Sequence, residues 1–150
     1  MTKLKIVYMK KKAVLGDIYA HLIRCNEYFI PPLSKRVNIE DYSDKIFQKA
    51  VTFEAWLENR LIGLVAVYFS SLPQYTAFIS NVSVENEYRR NGISSKLLFH
   101  CISDSRDRGC VYINLDVDAR NISAINLYKK FGFIITNNDM GSIKMTLSLI

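Results

Sequence analysis

The sequence predicts an α/β protein with a mixed β-sheet, in the element order β-α-α-β-β-β-α-β-α-β-β. Three observations lead to this fold class. Apolar residues recur in some stretches with the period of two that is typical of strands, and in others with the period of about 3.6 that is typical of helices. Two apolar runs in the middle of the chain are joined by only two residues, which favours an antiparallel hairpin. Residues 76–117 then form a strand-helix-strand unit, which is long enough for a right-handed crossover between parallel strands.

The first third of the chain is predicted to contain one strand and two helices. Residues 4–9 alternate as a strand does, and residues 13–29 carry apolar side chains along one helical face. Pro31 and Pro32 should end this first helix. The second helix is predicted over residues 39–50.

Three strands are predicted in the middle of the chain. β-Branched and aromatic residues favour strands at 51–58 and 61–69, with Asn59 and Arg60 as the turn between them. Asn-Arg is a weaker turn signal than Asn-Gly. The third strand covers residues 76–84.

The last third is predicted to alternate helices and strands. A helix with one apolar stripe runs up to Gly109, a strand covers residues 111–117 and a further helix covers residues 122–131. Two short strands flank the turn NNDMGS at residues 137–142. The chain has no repeat, low-complexity tract or linker, so residues 1–150 are expected to form a single domain.

Composition limits the classes of function. Hydrophobic residues make up 49% and charged residues 23% of the 150 residues, as in globular domains. The net charge of +6 favours an anionic partner without separating nucleic acid, a phosphorylated cofactor and an acidic membrane. The three cysteines show no C-x-x-C spacing, and no apolar run reaches the length of a signal peptide core or a membrane span. We therefore expect reduced thiols, a cytoplasmic protein and no membrane partner.

The stretch YRRNGISS, residues 88–95, places a glycine where a strand gives way to a helix. The first N–H groups of a helix have no partner within it, and the helix dipole makes that end partly positive. A turn through Asn91 and Gly92 would direct these N–H groups at one point, beside the hydroxyl groups of Ser94 and Ser95, which suits phosphate oxygens. The alternative is an ordinary turn whose glycine relieves backbone strain. The chain has neither Gly-x-Gly-x-x-Gly nor a P-loop, which disfavours a dinucleotide or a nucleoside triphosphate.

Two motifs in this half of the chain resemble the GCN5-related N-acetyltransferase superfamily. The first, VSVENEYRRNGISSKLL, is similar to that superfamily's Gln/Arg-x-x-Gly-x-Gly/Ala motif. About 30 residues later, NISAINLYKKFGF is similar to its Asn-x-x-Ala-x-x-Leu-Tyr-x-x-x-Gly-Phe signature. The matched positions are Arg89, Gly92 and Ser94 in the first motif and Asn121, Ala124, Leu127, Tyr128, Gly132 and Phe133 in the second. Ser94 departs from the pattern, which has a small Gly or Ala at that position. The resemblance runs from about residue 76 to the C-terminus and implies an acyl-CoA N-acyltransferase fold.

The resemblance implies an acetyltransferase that uses acetyl-CoA. In that superfamily the loop N–H groups hold the pyrophosphate, and the preceding strand hydrogen-bonds the pantetheine arm and the thioester. Carried over onto this sequence, the expected cofactor-binding residues are Val82, Ser83 and Val84 on the strand, Arg89, Arg90, Asn91, Gly92, Ile93, Ser94 and Ser95 in the loop, and Asn121. The acidic neighbour of His21 at helical spacing is Asp17, which could form a salt bridge as easily as a metal site, and we expect no metal.

Acetyl transfer to an amine needs a proton for the departing thiolate, a donor for the oxyanion and a base for the amine. By resemblance Tyr128 is the general acid, and the alternative is a tyrosine packed in the core. The backbone N–H of Val84 is the simplest oxyanion donor. Asp116 and Glu85 are the candidate bases. We favour Asp116, acting through a water, because it lies on the second strand that would hold the cofactor, whereas Glu85 is expected to be a solvated charge at a strand end.

The leading functional hypothesis is N-acetylation of the primary amine of a small molecule. Residues 28–46, YFIPPLSKRVNIEDYSDKI, resemble acetyltransferases of bacterial surface-sugar assembly, which favours an amino-sugar nucleotide. The alternative is peptide or protein N-terminal acetylation, because LDVDARN is similar to ribosomal-protein alanine acetyltransferases of the same superfamily. A nucleic-acid-binding domain is disfavoured, since no helix has the pattern of a recognition helix. The sequence leaves a homodimer open.

Overall fold

The computed structural model describes residues 4–150, and its elements follow the predicted order. In chain order they are β1 (Ile6–Lys10), α1 (Leu15–Cys25), α2 (Ile39–Lys49), β2 (Val51–Leu57), β3 (Arg60–Ser70), β4 (Thr76–Val84), α3 (Ile93–Asp107), β5 (Tyr112–Asp118), α4 (Ile122–Lys130), β6 (Ile134–Asp139) and β7 (Ser142–Ser148). The mixed α/β class predicted from the sequence is confirmed.

The seven strands form one sheet in the order β1-β2-β3-β4-β5-β7-β6. β2 and β3 pair antiparallel, and β4 and β5 pair parallel, so the predicted hairpin and the predicted crossover are both confirmed. β7 lies between β5 and β6, which leaves β6 at the edge of the sheet.

Several predicted boundaries differ from the structure by a few residues, and two of these differences have a local cause. The turn between β2 and β3 consists of Glu58 and Asn59, one residue earlier than predicted, and Glu58 has a φ of 56°. Positive φ is uncommon for residues other than glycine. Because a glutamate occupies this position, nothing in the sequence marked Glu58 as part of the turn. α1 ends at Cys25 and continues as a 3₁₀ turn over residues 26–28. Apolar spacing alone does not separate these two helix types.

Buried apolar residues form two clusters, one on each face of the sheet. α3 and α4 cover one face, with Leu97 and Ile125 in its cluster. α1 and α2 cover the other, with Leu22 and Ile46. The longest of the four helices, α3, has 15 residues, and no helix among residues 4–150 is long and apolar enough to cross a membrane.

A buried carboxylate fixes the start of α1. Glu54 on β2 has no exposed surface and accepts hydrogen bonds from the backbone N–H groups of Lys12 and Ala13. Its two oxygens also accept from the hydroxyl of Thr52 and the indole N–H of Trp56. A carboxylate is tolerated in such a buried place only when it is hydrogen-bonded in this way, and these bonds tie the start of α1 to β2.

A β-bulge separates β4 from β5. Ala66 and Val67 of β3 pair with Asn81 and Ile79 of β4, so Ser80 is an extra residue on β4. A bulge bends its strand and ends regular pairing. The parallel ladder to β5 stops at Ile79 paired with Leu115. Beyond that point, the edge of β4 that faces β5 has no ladder partner.

Tyr42 of α2 supports the bulge. Its hydroxyl lies 3.0 Å from the carbonyl oxygen of Ser80 and 2.7 Å from the Ser80 hydroxyl. The Ser80 carbonyl, which lies in the bulge, therefore has a hydrogen-bond partner. The same contact links α2 to the point where β4 and β5 separate.

Candidate active site

A cavity of about 960 Å³ lies where β4 and β5 separate. It is bounded by the end of α1 and the segment after it, the end of β4, the loop into α3, and α4. Of the residues predicted to bind cofactor or to act in catalysis, the following line it: Val82, Ser83, Val84, Arg89, Arg90, Gly92, Ile93, Ser94, Ser95, Asn121 and Tyr128. Asn91 and Asp116 do not.

The loop into α3 has the geometry of an anion cradle. Gly92 is the N-cap of α3 with φ 73° and ψ 15°, and Arg90 also has a positive φ of 68°. The first intrahelical bond runs from the Lys96 N–H to the Gly92 carbonyl oxygen, so the N–H groups of residues 93–95 have no partner within the helix. A Cβ built on Gly92 would meet no protein atom within 4 Å. The space in front of this backbone is therefore open to a ligand.

A second glycine places the cradle against the sheet. A Cβ on Gly63 of β3 would lie 2.8 Å from Cγ2 of Ile93, the first residue of α3. The absence of a side chain at Gly63 thus lets the start of α3 approach β3 closely. No sequence motif pointed to this contact.

Asn91 supports the loop from within. Its side-chain amide donates to the carbonyl oxygen of Tyr88 at 2.8 Å, and its side chain does not line the cavity. The side chain therefore stabilises the loop, and the predicted contact of the residue 91 backbone with the cofactor stays a prediction. Next to it, the Arg89 guanidinium lies 5.6 Å from the centre of the Tyr28 ring, which joins the loop to the segment after α1.

Tyr128 lies on α4 with its ring buried in the wall of the cavity. The ring packs on Phe133 at a centroid distance of 5.9 Å. Burial raises the pKa of Tyr128 to about 12. Its hydroxyl forms no hydrogen bond within residues 4–150, and it is not one of the fully buried side-chain atoms that lack a partner. The hydroxyl oxygen therefore keeps some accessible surface. The ring belongs to the core and the residue lines the cavity, and its role as the general acid stays a prediction.

Asn121 is the N-cap of α4, and its side-chain oxygen accepts a hydrogen bond from the Ala124 N–H at 3.2 Å. This bond fixes the start of α4 beside the cavity, so a second helix N-terminus faces the same space as that of α3.

Glu85, the other candidate base, is not a solvated charge. It is 5% exposed and sits between two arginines, with Arg60 Nε 3.0 Å and Arg24 Nε 3.1 Å from the same carboxylate oxygen. Burial by itself would raise the pKa of Glu85, but the hydrogen bond from Arg60 and the charges of both arginines outweigh burial and lower it. A carboxylate held in this way is a weak base, and Glu85 does not line the cavity.

We expect Glu85→Gln to lower the free energy of unfolding by about 2 kcal/mol, between the values for exposed and buried ion pairs. Since the folded-state pKa is below the ordinary value, this stabilisation is present above about pH 4.5 and is lost as the pH falls through the folded pKa. Urea unfolding between pH 7 and pH 3 measures both effects. A variant whose stability falls with acid as steeply as that of the wild type would contradict the ion-pair assignment.

Asp116 lies on β5, one residue beyond the last pair between β4 and β5, and is exposed. Its neighbours Leu115 and Val117 are in the cluster under α3 and α4. Side chains alternate along a strand, so Asp116 points to the opposite face, the one that α1 and α2 cover. Its role as the base stays a prediction.

A buried polar network on this second face was missed by the sequence reasoning. His21 of α1 has no exposed surface, and its Nδ1 lies 2.9 Å from the Leu61 carbonyl oxygen. Its Nε2 lies 2.9 Å from the hydroxyl oxygen of Ser83, which is also 2.7 Å from the side-chain oxygen of Asn81. Asp17, expected as the partner of His21, instead accepts from the backbone N–H at the N-cap of α1. No signal in the sequence links residues 62 positions apart.

No group of three or more metal-ligating side chains occurs among residues 4–150. Cys25 lies in the cavity wall beside His21, with Sγ 3.7 Å from Nε2, and burial raises the pKa of its thiol to about 12. At neutral pH this cysteine is a thiol rather than a thiolate.

The relatives found by comparison with known proteins are named as acetyltransferases. Residues 15–133 match the model of the acetyltransferase (GNAT) family. N-alpha-acetyltransferase 50 of Danio rerio is 31% identical over 133 residues, which cover 85% of this chain and 77% of that protein. The ribosomal protein bS18-alanine N-acetyltransferase of Escherichia coli K12 is 29% identical over 106 residues, 67% of this chain and 70% of that one. A shorter match of 57 residues at 39% identity spans 20% of the chloroplastic GCN5-related N-acetyltransferase 4 of Arabidopsis thaliana.

Solved structures share the fold. The Escherichia coli ribosomal-protein-S18-alanine N-acetyltransferase superposes with a TM-score of 0.74 at 21% identity, over 95% of this chain and 94% of that one. The PaiA N-acetyltransferase of Thermoplasma acidophilum, solved in complex with coenzyme A, superposes with a TM-score of 0.75 at 16% identity, over 95% and 99%.

Proposed function

The chain belongs to the acetyltransferase (GNAT) family and is an acetyl-CoA-dependent N-acetyltransferase, and on this premise we propose that its acceptor is the α-amine at the N-terminus of a polypeptide. Two relatives that it matches over two thirds or more of its length are named for this class of acceptor. The cavity supports the same class through its charges.

The residues of the cavity fit acetyl-CoA. The N–H groups at the start of α3 and the guanidinium groups of Arg89 and Arg90 suit the diphosphate. The unpaired edge of residues 80–84 on β4 suits the amide groups of the pantetheine arm, which would pair with it as a strand does. We propose the N–H of Val84 as the donor to the thioester oxygen.

In the proposed reaction, the neutral amine attacks the thioester carbon and a C–N bond forms. Collapse of the tetrahedral intermediate breaks the C–S bond, and the electron pair leaves on sulfur. The Tyr128 hydroxyl protonates the thiolate, the nitrogen loses its extra proton through water, and water returns a proton to Tyr128. The products are free CoA and the acetylated amine.

The observation that carries the choice of acceptor is the charge of the cavity. Its lining contains Arg89, Arg90 and Lys130 and, within residues 4–150, no aspartate or glutamate. An amine must therefore arrive largely deprotonated. An α-amine of pKa about 8 is roughly 10% neutral at pH 7, whereas a lysine side chain of pKa about 10.4 is only about 0.04% neutral. A polycationic amine would also be repelled.

The test is thiol release from acetyl-CoA with matched acceptors. One peptide has a free N-terminus and one internal lysine, and the other has the same sequence with a blocked N-terminus. We expect turnover with the first and none with the second. Equal rates, or turnover with neither, would overturn the proposal.

The second candidate acceptor is a small amine such as an amino-sugar nucleotide. Tyr28, Phe29 and Tyr88 line the cavity and could stack on a base or a sugar. Amino-sugar nucleotides in the same assay decide between the two candidates. We also propose that the protein works in the cytoplasm, since Cys25, Cys101 and Cys110 are all unpaired and buried.

We retain Asp116 as the proposed base and expect Asp116→Asn to lower turnover about tenfold, because an α-amine needs little help to lose its proton. The acidic limb of the rate profile should shift, and acetyl-CoA affinity should not. If the profile is unaltered in Asp116→Asn but flattened in Glu85→Gln, Glu85 is the base instead.

A further inference from the structure

The network of His21, Ser83 and Asn81 has one consistent arrangement of protons. The Leu61 carbonyl can only accept, so His21 Nδ1 carries a proton. Burial, acting against the hydrogen bond to that carbonyl, lowers the pKa of His21 to about 4. At neutral pH the ring is therefore uncharged, and Nε2 is an acceptor.

Of the two possible donors to His21 Nε2, the Ser83 hydroxyl at 2.9 Å is closer and stronger than the Cys25 thiol at 3.7 Å. Ser83 therefore gives its one proton to Nε2. Asn81 lies 2.7 Å from the same hydroxyl oxygen. Because the Ser83 proton is already used, the Asn81 amide donates an N–H to the Ser83 oxygen, which exchanges the places of the amide oxygen and nitrogen. A hydroxyl oxygen accepts two hydrogen bonds, so one acceptor position on Ser83 is left.

Ser83 lines the cavity beside Val82 and Val84, the residues placed at the thioester. Val84 belongs to the cluster under α3, and Val82 packs against that cluster, so Ser83 points to the α1 side. That is also the side from which Cys25, Tyr28 and Phe29 close the cavity. The Ser83 hydroxyl thus lies at the cavity wall, between the strand residues proposed to hold the thioester and the wall that Cys25, Tyr28 and Phe29 form.

We propose that the Ser83 hydroxyl accepts a hydrogen bond from the acceptor amine and aims the nitrogen lone pair at the thioester, while His21 acts as a positioning residue that keeps the hydroxyl proton turned away from the amine. The nitrogen becomes positively charged as the C–N bond forms, so its N–H bond to Ser83 strengthens in the transition state. His21 does not store the proton, because burial disfavours its charged form and the charges of Arg24 and Arg60 add to this effect against the opposing charge of Glu85. This role rests on the proposed function only in that the acceptor is an amine.

Ser83→Ala should lower kcat/KM for the amine by roughly ten- to a hundredfold, the scale of one hydrogen bond to a developing charge, with acetyl-CoA affinity within about twofold of the wild type. The matched control is Ser105→Ala, which removes another buried serine hydroxyl, bonded to the Cys101 carbonyl on α3 away from the cavity. Each variant is assayed with the amine that the wild type acetylates fastest among the peptides and amino-sugar nucleotides tested above. The test of Ser83 is therefore independent of whether that amine belongs to a peptide or a small molecule.

Nitrogen-15 spectra supply a readout that a purely structural role would not move. The chain has two histidines, and His100→Gln assigns their signals. We expect His21 to show the Nδ1–H form, with an Nε2 signal that shifts when the acetylated product binds to the wild type but not to Ser83→Ala. An Nε2–H form of His21, or full kcat/KM in a folded Ser83→Ala variant of an enzyme that acetylates amines, would overturn the inference and leave the proposed function standing.

Discussion

Replacing Tyr128 with phenylalanine is expected to lower kcat by roughly a hundredfold, the scale of a lost general acid, with acetyl-CoA affinity nearly unchanged. The hydroxyl is the only group removed, and the ring keeps its contact with Phe133. With a pKa of about 12 for Tyr128 against about 8.5 for a thiol, complete proton transfer would be uphill by about 5 kcal/mol. The proton therefore moves late, when the C–S bond is largely broken and the sulfur is most basic.

The pH dependence follows from the same shift. Tyr128 acts in its protonated form, so its contribution is retained through pH 10 and is lost only as the pH rises towards about 12. A fall in the reaction rate that begins below pH 10 on the alkaline side therefore reports the titration of a group other than Tyr128.

Tyr68→Phe is the matched control for Tyr128→Phe. Tyr68 is also a tyrosine whose pKa burial raises to about 12, and its buried hydroxyl has no partner among residues 4–150 and does not line the cavity. Its loss should leave kcat unchanged. Single-turnover kinetics at saturating acetyl-CoA measure the chemical step directly, and wild-type rates in Tyr128→Phe would return Tyr128 to a role in the core alone.

Gly92→Ala is expected to weaken acetyl-CoA binding at least tenfold, about 1.4 kcal/mol. The added Cβ meets no protein atom within 4 Å, so the space that it would enter is that of the proposed diphosphate. The left-handed φ of 73° adds a folding cost of about 1–2 kcal/mol for a residue with a side chain.

Gly109→Ala separates the two effects. Gly109 follows α3 with a φ of 84°, and a Cβ there also meets nothing within 4 Å, but the residue lies outside the cavity. Both variants should lose similar stability in urea, and calorimetry should show weaker binding for Gly92→Ala alone. Equal affinities in the two folded variants would mean that Gly92 serves the turn and not the ligand.

Local patterns predicted the elements well because each depends on neighbours in sequence. Alternation marked β4, and a single apolar stripe marked α3, whose Leu97 is buried under the sheet. The order of two motifs about 30 residues apart predicted the family. In contrast, the β2–β3 turn was displaced by one residue, since Glu58 adopts a positive φ that its residue type does not announce.

The sequence by itself determined the fold class, the strand-helix-strand unit and the family, because these follow from periodicity and from motifs that are local in the chain. The tertiary structure alone decided which polar residues share a site. It joined Glu85 to Arg60 and Arg24, and it placed His21 of α1 against Ser83 of β4. Such contacts join residues 25 to 62 positions apart, and they depend on distances that only the pairing of β3 with β4 and the packing of α1 on the sheet create.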